Sequence, residues 1–221
     1  MSKFLIGIDE VGRGPLAGPV AVGVFAVRDP AILATFKGAR DSKKMTPKQR
    51  EAVFMEIEKS HAAGDVFYAV EFSSAAHIDE KGIVSAIRSA MNEALKRVEK
   101  NFIQGQTSVF GTRSDLDTEV RPLYPVQGQT LDYCEVRLDG TLKAPPRYTN
   151  QKTIIRGDDS EPVISLASIC AKVLRDRHMV ALAEKYPQYG FDIHKGYGTK
   201  AHYAAIKKYG PSDEHRRSFV K

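Results

Sequence analysis

The chain reads as an α/β or α+β protein built on a central mixed sheet, because apolar strands come first and helices are interleaved with them. Three observations carry this reading. Val20–Val27 (Val-Ala-Val-Gly-Val-Phe-Ala-Val) is an unbroken apolar run with the length and residue types of a buried strand. Ile83, Ile87, Met91, Leu95 and Val98 recur at spacings of four and three and give one apolar helical stripe. The 221 residues, 42% apolar and 27% charged, make one ordinary domain, or one domain with a small appendage.

The elements follow in order. Residues 4–8 form a short buried strand that ends at Asp9-Glu10, and residues 11–19, rich in glycine and proline, turn the chain into the strand over 20–27. Thr46-Pro47 supplies a capping hydroxyl and a proline at the first helical position, so a helix runs from there to about residue 60. Residues 66–72 are a third strand, and 80–100 the clearest helix. Residues 131–138 alternate weakly and lead into Asp139-Gly140, a strand followed by a turn, and 152–156 are another short strand. A long helix over 165–185, capped by Ser165, and a last helix over 199–209, stopped by Gly210-Pro211, complete the list. Residues 104–129 hold four Gln, three Gly and two Pro with little periodicity, and read as a long loop or an inserted hairpin.

Composition excludes several classes. Cys134 and Cys170 lie 36 positions apart and match no metal or redox spacing, which excludes a disulfide scaffold and points to a reducing compartment. The longest apolar runs fall short of the ~20 residues of a spanning helix, and an acidic pair so near the N-terminus is unlike a signal peptide. A cytoplasmic protein without membrane association is the expectation. The net charge of +6 sits wholly in residues 172–221, which hold 11 basic and 5 acidic residues. That tail is either a solvated basic face or a surface that meets a polyanion and gains affinity by releasing phosphate counterions.

Three groups of residues could carry chemistry. Asp9-Glu10, Asp139 and Asp158-Asp159 each follow an apolar segment. A bare Asp-Glu is by itself an exposed strand end and Asp-Gly a common turn. If the three ends are neighbours in one sheet, however, they form an oxygen-only site for Mg²⁺ or Mn²⁺. Gly12-Arg13-Gly14 is a turn, or a backbone that approaches a substrate hydroxyl or phosphate closely. His194-Lys195-Gly196-Tyr197-Gly198-Thr199, His215-Arg216-Arg217-Ser218-Phe219 and Asp41-Ser42-Lys43-Lys44 are basic blocks suited to phosphates, the first with a ring that could pack on sugar or base.

These blocks together resemble a known family. The run from Asp9 to Gly18 (Asp-Glu-Val-Gly-Arg-Gly-Pro-Leu-Ala-Gly) resembles the N-terminal signature of bacterial ribonuclease HII. Asp41 to Lys44, Asp139-Gly140, Arg156-Gly157-Asp158, the run from Ser165 to Asp176, that from Tyr186 to Phe191, His194 to Thr199 and His215 to Phe219 are similar to its later blocks, in its order. Arg156 departs from the family's usual lysine, and residues 104–129 look like an insertion.

The resemblance implies a ribonuclease H-like mixed five-stranded sheet flanked by helices, with a small helical C-terminal region. The catalytic domain would span 1–185 and the basic substrate-binding region 186–221. It implies an endoribonuclease acting on RNA–DNA hybrids and on single ribonucleotides in duplex DNA, a monomer using two Mg²⁺ or Mn²⁺ ions. Asp9, Glu10, Asp139 and Asp158 would be the catalytic metal ligands. Gly12, Arg13, Gly14, Ser42, Lys43, Lys195, Tyr197 and Arg216 would meet the duplex, and Asp176 would be structural, pairing with Arg175 or Lys172. The competing readings are a non-catalytic nucleic-acid-binding module, another metal-dependent nuclease on the same core, and a metal-free ribonuclease using His194 and His215.

Overall fold

A computed structural model describes residues 4–39, 42–107, 131 and 133–220. Five strands form one sheet: β1 (Phe4–Val11), β2 (Val20–Val27), β3 (Val66–Ser73), β4 (Cys134–Asp139) and β5 (Asn150–Ile154), in the order β3-β2-β1-β4-β5. The first three are antiparallel neighbours, whereas β1, β4 and β5 run parallel. The sheet is therefore mixed, as the order of elements predicts. Helices α1 (Pro47–Ala62), α2 (Ala75–Lys81), α3 (Ile83–Thr107), α4 (Gly157–Ser160), α5 (Pro162–Lys185), α6 (Phe191–His194) and α7 (Lys200–Tyr209) complete it.

Both faces of the sheet are covered. Ile6, Ile8, Val22, Val24 and Val136 pack against Ile87, Met91, Leu95 and Val98 of α3. Leu5, Phe25 and Val27 face Phe54 and Ile57 of α1 and Leu166, Ile169 and Cys170 of α5. A central strand buried on both faces has no polar side to alternate with, which is why β2 reads as one continuous apolar run. α1 starts where the sequence places it. Thr46 Oγ1 accepts from the Gln49 N–H at 3.3 Å and Gln49 Oε1 accepts from the Thr46 N–H at 2.9 Å, a reciprocal capping box. Among the described residues, no helix is long and apolar enough to cross a membrane.

Three expectations change. The helix expected over 80–100 is two helices, because Gly82 (φ 78°) closes α2 and α3 starts anew at Ile83. α3 runs on to Thr107, so residues 104–107 of the expected loop are helical, while 108–129 lie outside the described residues. α5 begins at Pro162, a turn before Ser165, and Ser165 caps nothing: its hydroxyl donates back to the carbonyls of Asp158 at 2.6 Å and Glu161 at 3.2 Å.

A third apolar cluster, Ala17, Met179, Leu182, Tyr189 and Phe191, joins the C-terminal segment to the end of α5 and to the loop after β1. Within it the His202 and His194 rings stack at 4.3 Å, and His202 Nε2 lies 3.1 Å from His215 Nε2. Burial pushes His215 down to about 4, and the neighbouring His202 pushes the same way.

α5 lies so close to the sheet that two strand positions have no room for a side chain. A Cβ on Gly7 would sit 2.2 Å from the Val163 carbonyl oxygen, and one on Gly23 2.3 Å from that of Ala167. Gly23→Ala is expected to lower stability by about 1–3 kcal/mol in urea unfolding, because helix backbone cannot yield as a side chain can. An unchanged midpoint would show that α5 is free to move outward.

Candidate active site

The sheet brings the carboxylates together through strand register. Ile8 lies opposite Leu138 in the parallel pair, so Asp9 and Asp139 take the next level on adjacent strands; Asp139 ends β4, whereas β1 runs on past the expected end at Asp9-Glu10 to Val11, so both acids lie within it. Asp139 in turn pairs with Ile154 at the end of β5. The chain then turns through Arg156, held at φ 55°, into α4, which carries Asp158 on a helical turn and not on a strand end. Gly157 N–H donates to Asp139 Oδ1 at 2.7 Å, joining that turn to β4.

Asp9 is 4% exposed. Burial pushes its carboxyl up to about 8; a hydrogen bond with Ser168 opposes the shift, and the charges of Glu10 and Asp139 add to it. Glu10 is also raised by burial, against the pull of the Arg13 guanidinium, whose Nη1 lies 3.0 Å from Oε1. Its other oxygen, Oε2, is buried without a hydrogen-bond partner. Asp158 is buried and takes Lys43 Nζ at 3.0 Å, whereas its neighbour Asp159 is exposed and pairs with Lys44 at 2.6 Å. Burial thus separates the two adjacent aspartates that the sequence leaves easy to confuse.

The donor set suits a hard divalent cation. The charges of Glu10 and Asp139 raise Asp9 and that of Asp139 raises Glu10, and the orphaned Glu10 Oε2 is an oxygen that lacks an internal cation. Among the described residues, no group of three or more His, Cys, Asp and Glu is already set to hold an ion. The side chains of Arg13 and Lys43 stand on Glu10 and Asp158 instead.

The expected substrate contacts divide. Arg13 and Gly14 are exposed on the loop after β1, and Tyr197, 43% exposed, stands on a loop docked against it, with the Leu16 N–H donating to the Gly196 carbonyl at 2.8 Å. Lys195 lies beside Tyr197 and is held at φ 52°. Gly12 and Gly14 are glycines for different reasons. Gly12 sits at φ 92°, where a Cβ would be 2.2 Å from Arg175 Nε, while a Cβ on Gly14 would meet nothing within 4 Å. Packing within the chain therefore explains the first and not the second.

Two expectations need correction. Ser42 is 2% exposed, and its hydroxyl lies 2.9 Å from that of Ser168. An ionised Asp9 only accepts, so Ser168 donates to it and accepts from the Ser42 hydroxyl; Ser42 therefore supports Asp9 from behind. Arg216 is 0% exposed and donates to backbone carbonyls, so the charge that made it a phosphate contact in the sequence is used inside. Asp41 lies outside the described residues. Asp176 pairs with Lys172 at 2.7 Å and with Arg50 at 3.6 Å; Arg175 turns instead to carbonyls of the loop after β1. Ser168 is not singled out in the sequence, and Arg175 is expected only as a partner of Asp176. The available signal was polar residues spaced along a helix that is apolar on both sides, since buried polar groups are there to bond something.

His215 and His194 offer no acid–base pair beside the carboxylates. They belong to the aromatic cluster of the C-terminal segment, with His194 Nε2 2.7 Å from the Tyr189 carbonyl and His215 Nδ1 2.9 Å from the Ser212 N–H.

Asp9 carries a pH prediction. Its folded value, about 8, is above the ordinary 3.8, so the folded state holds a proton that the unfolded state gives up. Its contribution is complete below about 4 and is lost as pH rises through about 8. In metal-free thermal melts Asp9→Asn is expected to match wild type near pH 4 and to melt a few degrees higher at pH 8. Equal melting at both pH values would show that Asp9 is not under this strain.

The chain is similar to known proteins in sequence and in fold. The family model for ribonuclease HII matches residues 6–221. The chain is 38% identical over 219 residues to the ribonuclease HII of Caldicellulosiruptor bescii, covering 99% of this chain and 87% of that one. The crystal structure of ribonuclease H2 from Pyrococcus horikoshii OT3 superposes with a TM-score of 0.59 at 25% identity, over 97% of this chain and 93% of that one. The Bst ribonuclease HIII in complex with Mn²⁺ gives a TM-score of 0.66 at 17% identity, over 99% and 68%, and shows the same fold. With sheet order and sequence in agreement, this protein belongs to the ribonuclease HII family and is a hydrolase of the ribonuclease H type.

Proposed function

We propose that the protein is an endoribonuclease that hydrolyses the RNA strand of RNA–DNA hybrids and cuts 5′ of single ribonucleotides embedded in duplex DNA, leaving a 3′-hydroxyl and a 5′-phosphate. The observation that carries this reading is the level of Asp9 and Asp139 on adjacent parallel strands, with Glu10 beside them and one of its oxygens unsatisfied. Two divalent ions, Mg²⁺ or Mn²⁺, held by Asp9, Glu10, Asp139 and Asp158, would supply an activated water and stabilise the leaving oxygen. The Mn²⁺ complex of the Bst relative supports that choice of metals.

The residues of this chain then have separate tasks. Ser168 holds Asp9 in place, and the Gly157 N–H does the same for Asp139. Lys43 and Arg13 neutralise part of the site until substrate and ions arrive, and would then turn toward phosphates. The loop over Gly12, Arg13 and Gly14 brings backbone N–H groups to the ribose 2′-hydroxyl, which is what separates RNA from DNA. Gly14 supports this, because its missing side chain leaves open space beside the site and is not needed for packing. Tyr197 packs on the next sugar and favours one that lacks the hydroxyl. Residues 186–221, with Lys195, Lys200 and Lys207, would carry the rest of the duplex.

Two measurements test the proposal. On a duplex carrying one ribonucleotide, Asp139→Asn is expected to lower Mg²⁺-dependent cleavage by on the order of 10²-fold or more without loss of fold, because it removes ligand charge where the transition state needs it. Full turnover in this variant would remove Asp139 from the site. Tyr197→Ala is expected to lower cleavage at a single ribonucleotide more than cleavage of a continuous hybrid, by roughly ten- to a hundredfold for a lost stacking ring. Equal losses on the two duplexes would make Tyr197 a general binding residue.

A further inference from the structure

Arg216 is fully buried, and its donors all end on one loop. Nη2 donates to the Gly12 carbonyl at 2.7 Å, Nη1 to that of Arg13 at 2.9 Å and Nε to that of Gly18 at 2.9 Å. A guanidinium is a planar fork with donors in fixed directions, so three carbonyls bound at once leave it and the loop little freedom.

Two of those carbonyls belong to consecutive peptide groups, Gly12–Arg13 and Arg13–Gly14. Among the described residues every peptide bond is trans, and a trans peptide points its N–H opposite to its C=O. Drawing the Gly12 and Arg13 carbonyls inward to one guanidinium therefore turns the Arg13 and Gly14 N–H groups outward. Successive N–H groups facing one side, with their carbonyls held on the other, form a concave donor surface for an oxygen-rich ligand. A positive charge on the carbonyl side also polarises both peptide groups and strengthens the N–H groups as donors.

The guanidinium is held in turn. The ring of Phe219 lies 5.3 Å from its central carbon. The Arg216 N–H donates to the Leu16 carbonyl at 2.8 Å, and Ala17 bridges to His215. Arg175, also fully buried, donates to the carbonyls of Pro19 at 2.9 Å, Lys195 at 3.1 Å and Ala17 at 3.4 Å, which fixes the rest of the loop and joins it to the segment carrying Tyr197.

We propose that Arg216 is a positioning residue for sugar selection: it aims the Arg13 and Gly14 N–H groups at the ribose 2′-hydroxyl, so the preference for RNA over DNA depends on a side chain that never touches the duplex. This rests on the reading above that the loop senses the 2′-hydroxyl. It differs from a phosphate contact, which would weaken binding to every duplex alike and lower the salt dependence. It differs also from a purely structural role, which would leave the preference unchanged in protein that is still folded.

The test uses the full chain carrying Asp139→Asn, to suppress cleavage, with Mg²⁺ present. The dissociation constants for a duplex with one ribonucleotide and for the same duplex in DNA give a ratio. Arg216→Lys, added to this parent, is expected to lower the ratio by about tenfold, the scale of one well-aligned hydrogen bond. Affinity for the all-DNA duplex and its salt slope should stay as in the parent. Phe219→Leu leaves every donor of Arg216 in place and only loosens its packing; it is expected to lower the ratio by about twofold, and it decides the matter if Arg216→Lys does not fold. A ratio unchanged in the folded variants, or a reduced salt slope with the ratio intact, overturns the role of Arg216 alone. A parent that binds both duplexes equally overturns the sugar-reading loop, and the proposal with it.

Discussion

The burial of Asp9 beside Glu10 and Asp139 is the constraint around which this structure is arranged. Carboxylates in water seldom need help, but Asp9 is carried into the interior within a strand buried on both faces over most of its length. Ionised there, it loses hydration and faces two like charges. The surroundings oppose this with oriented neutral donors, Ser168 on Asp9 and the Gly157 N–H on Asp139, and with flexible cations at the edge, Arg13 and Lys43. Fixed donors hold geometry, whereas exposed cations supply charge that can be exchanged. Lys43 is 77% exposed in its side chain, so its pairing with Asp158 is screened and easily given up. A site that must admit external cations needs both features, since an interior salt bridge would close it permanently.

Positive charge shows the opposite division. Arg175 and Arg216 are buried side chains of the most polar kind, and both are satisfied by carbonyls, with no carboxylate in direct contact among the described residues. Burial pushes Arg216 down to about 9, and Arg175 pushes it further the same way. The chain accepts that cost where Arg216 and Arg175 hold the loop after β1 between α5 and the C-terminal segment. Carbonyls are abundant in a glycine- and proline-rich turn that forms few ladder bonds, and each buried one needs a donor. Two guanidiniums supply those donors from outside the loop. The acidic strand ends and the basic interior are thus answers to different problems, one electrostatic and one of backbone satisfaction.

Much of this was legible in the sequence. The strand from Val20 to Val27 and the stripe from Ile87 to Val98 are governed by burial, and burial is written in hydrophobic pattern. The carboxylates were legible because each follows an apolar segment directly, although adjacency of β1 and β4 is a property of the whole sheet and lies in no local pattern. Asp158 lies on a different element from the one expected: the chain leaves β5 at Ile154, and an αL turn at Arg156 starts a helix that periodicity over four residues cannot reveal. Arg216 was misplaced for a general reason. Lys and Arg are almost always exposed, so a basic block in a basic tail reads as surface. What distinguishes Arg216 from its exposed neighbour Arg217 is a set of carbonyls some two hundred residues away in the chain.

The same distinction applies inside the loop signature. Gly12 is required by the fold itself, because its left-handed backbone and the guanidinium of Arg175 beneath it leave no place for a side chain. Gly14 has neither reason, since its Cβ position is open and its φ is not in the left-handed region. A glycine in a loop carries an entropic cost on folding that alanine would reduce. Where neither backbone nor packing calls for it, the remaining physical use is the approach of something from outside the chain. In this structure that open position lies on the loop that leaves Asp9 and Glu10 and is braced from below by two arginines. On the function proposed above, a braced loop with one unfilled position beside Glu10, whose Oε2 has no hydrogen-bond partner, is placed to measure what sits on it, and the smallest difference it would measure is one hydroxyl.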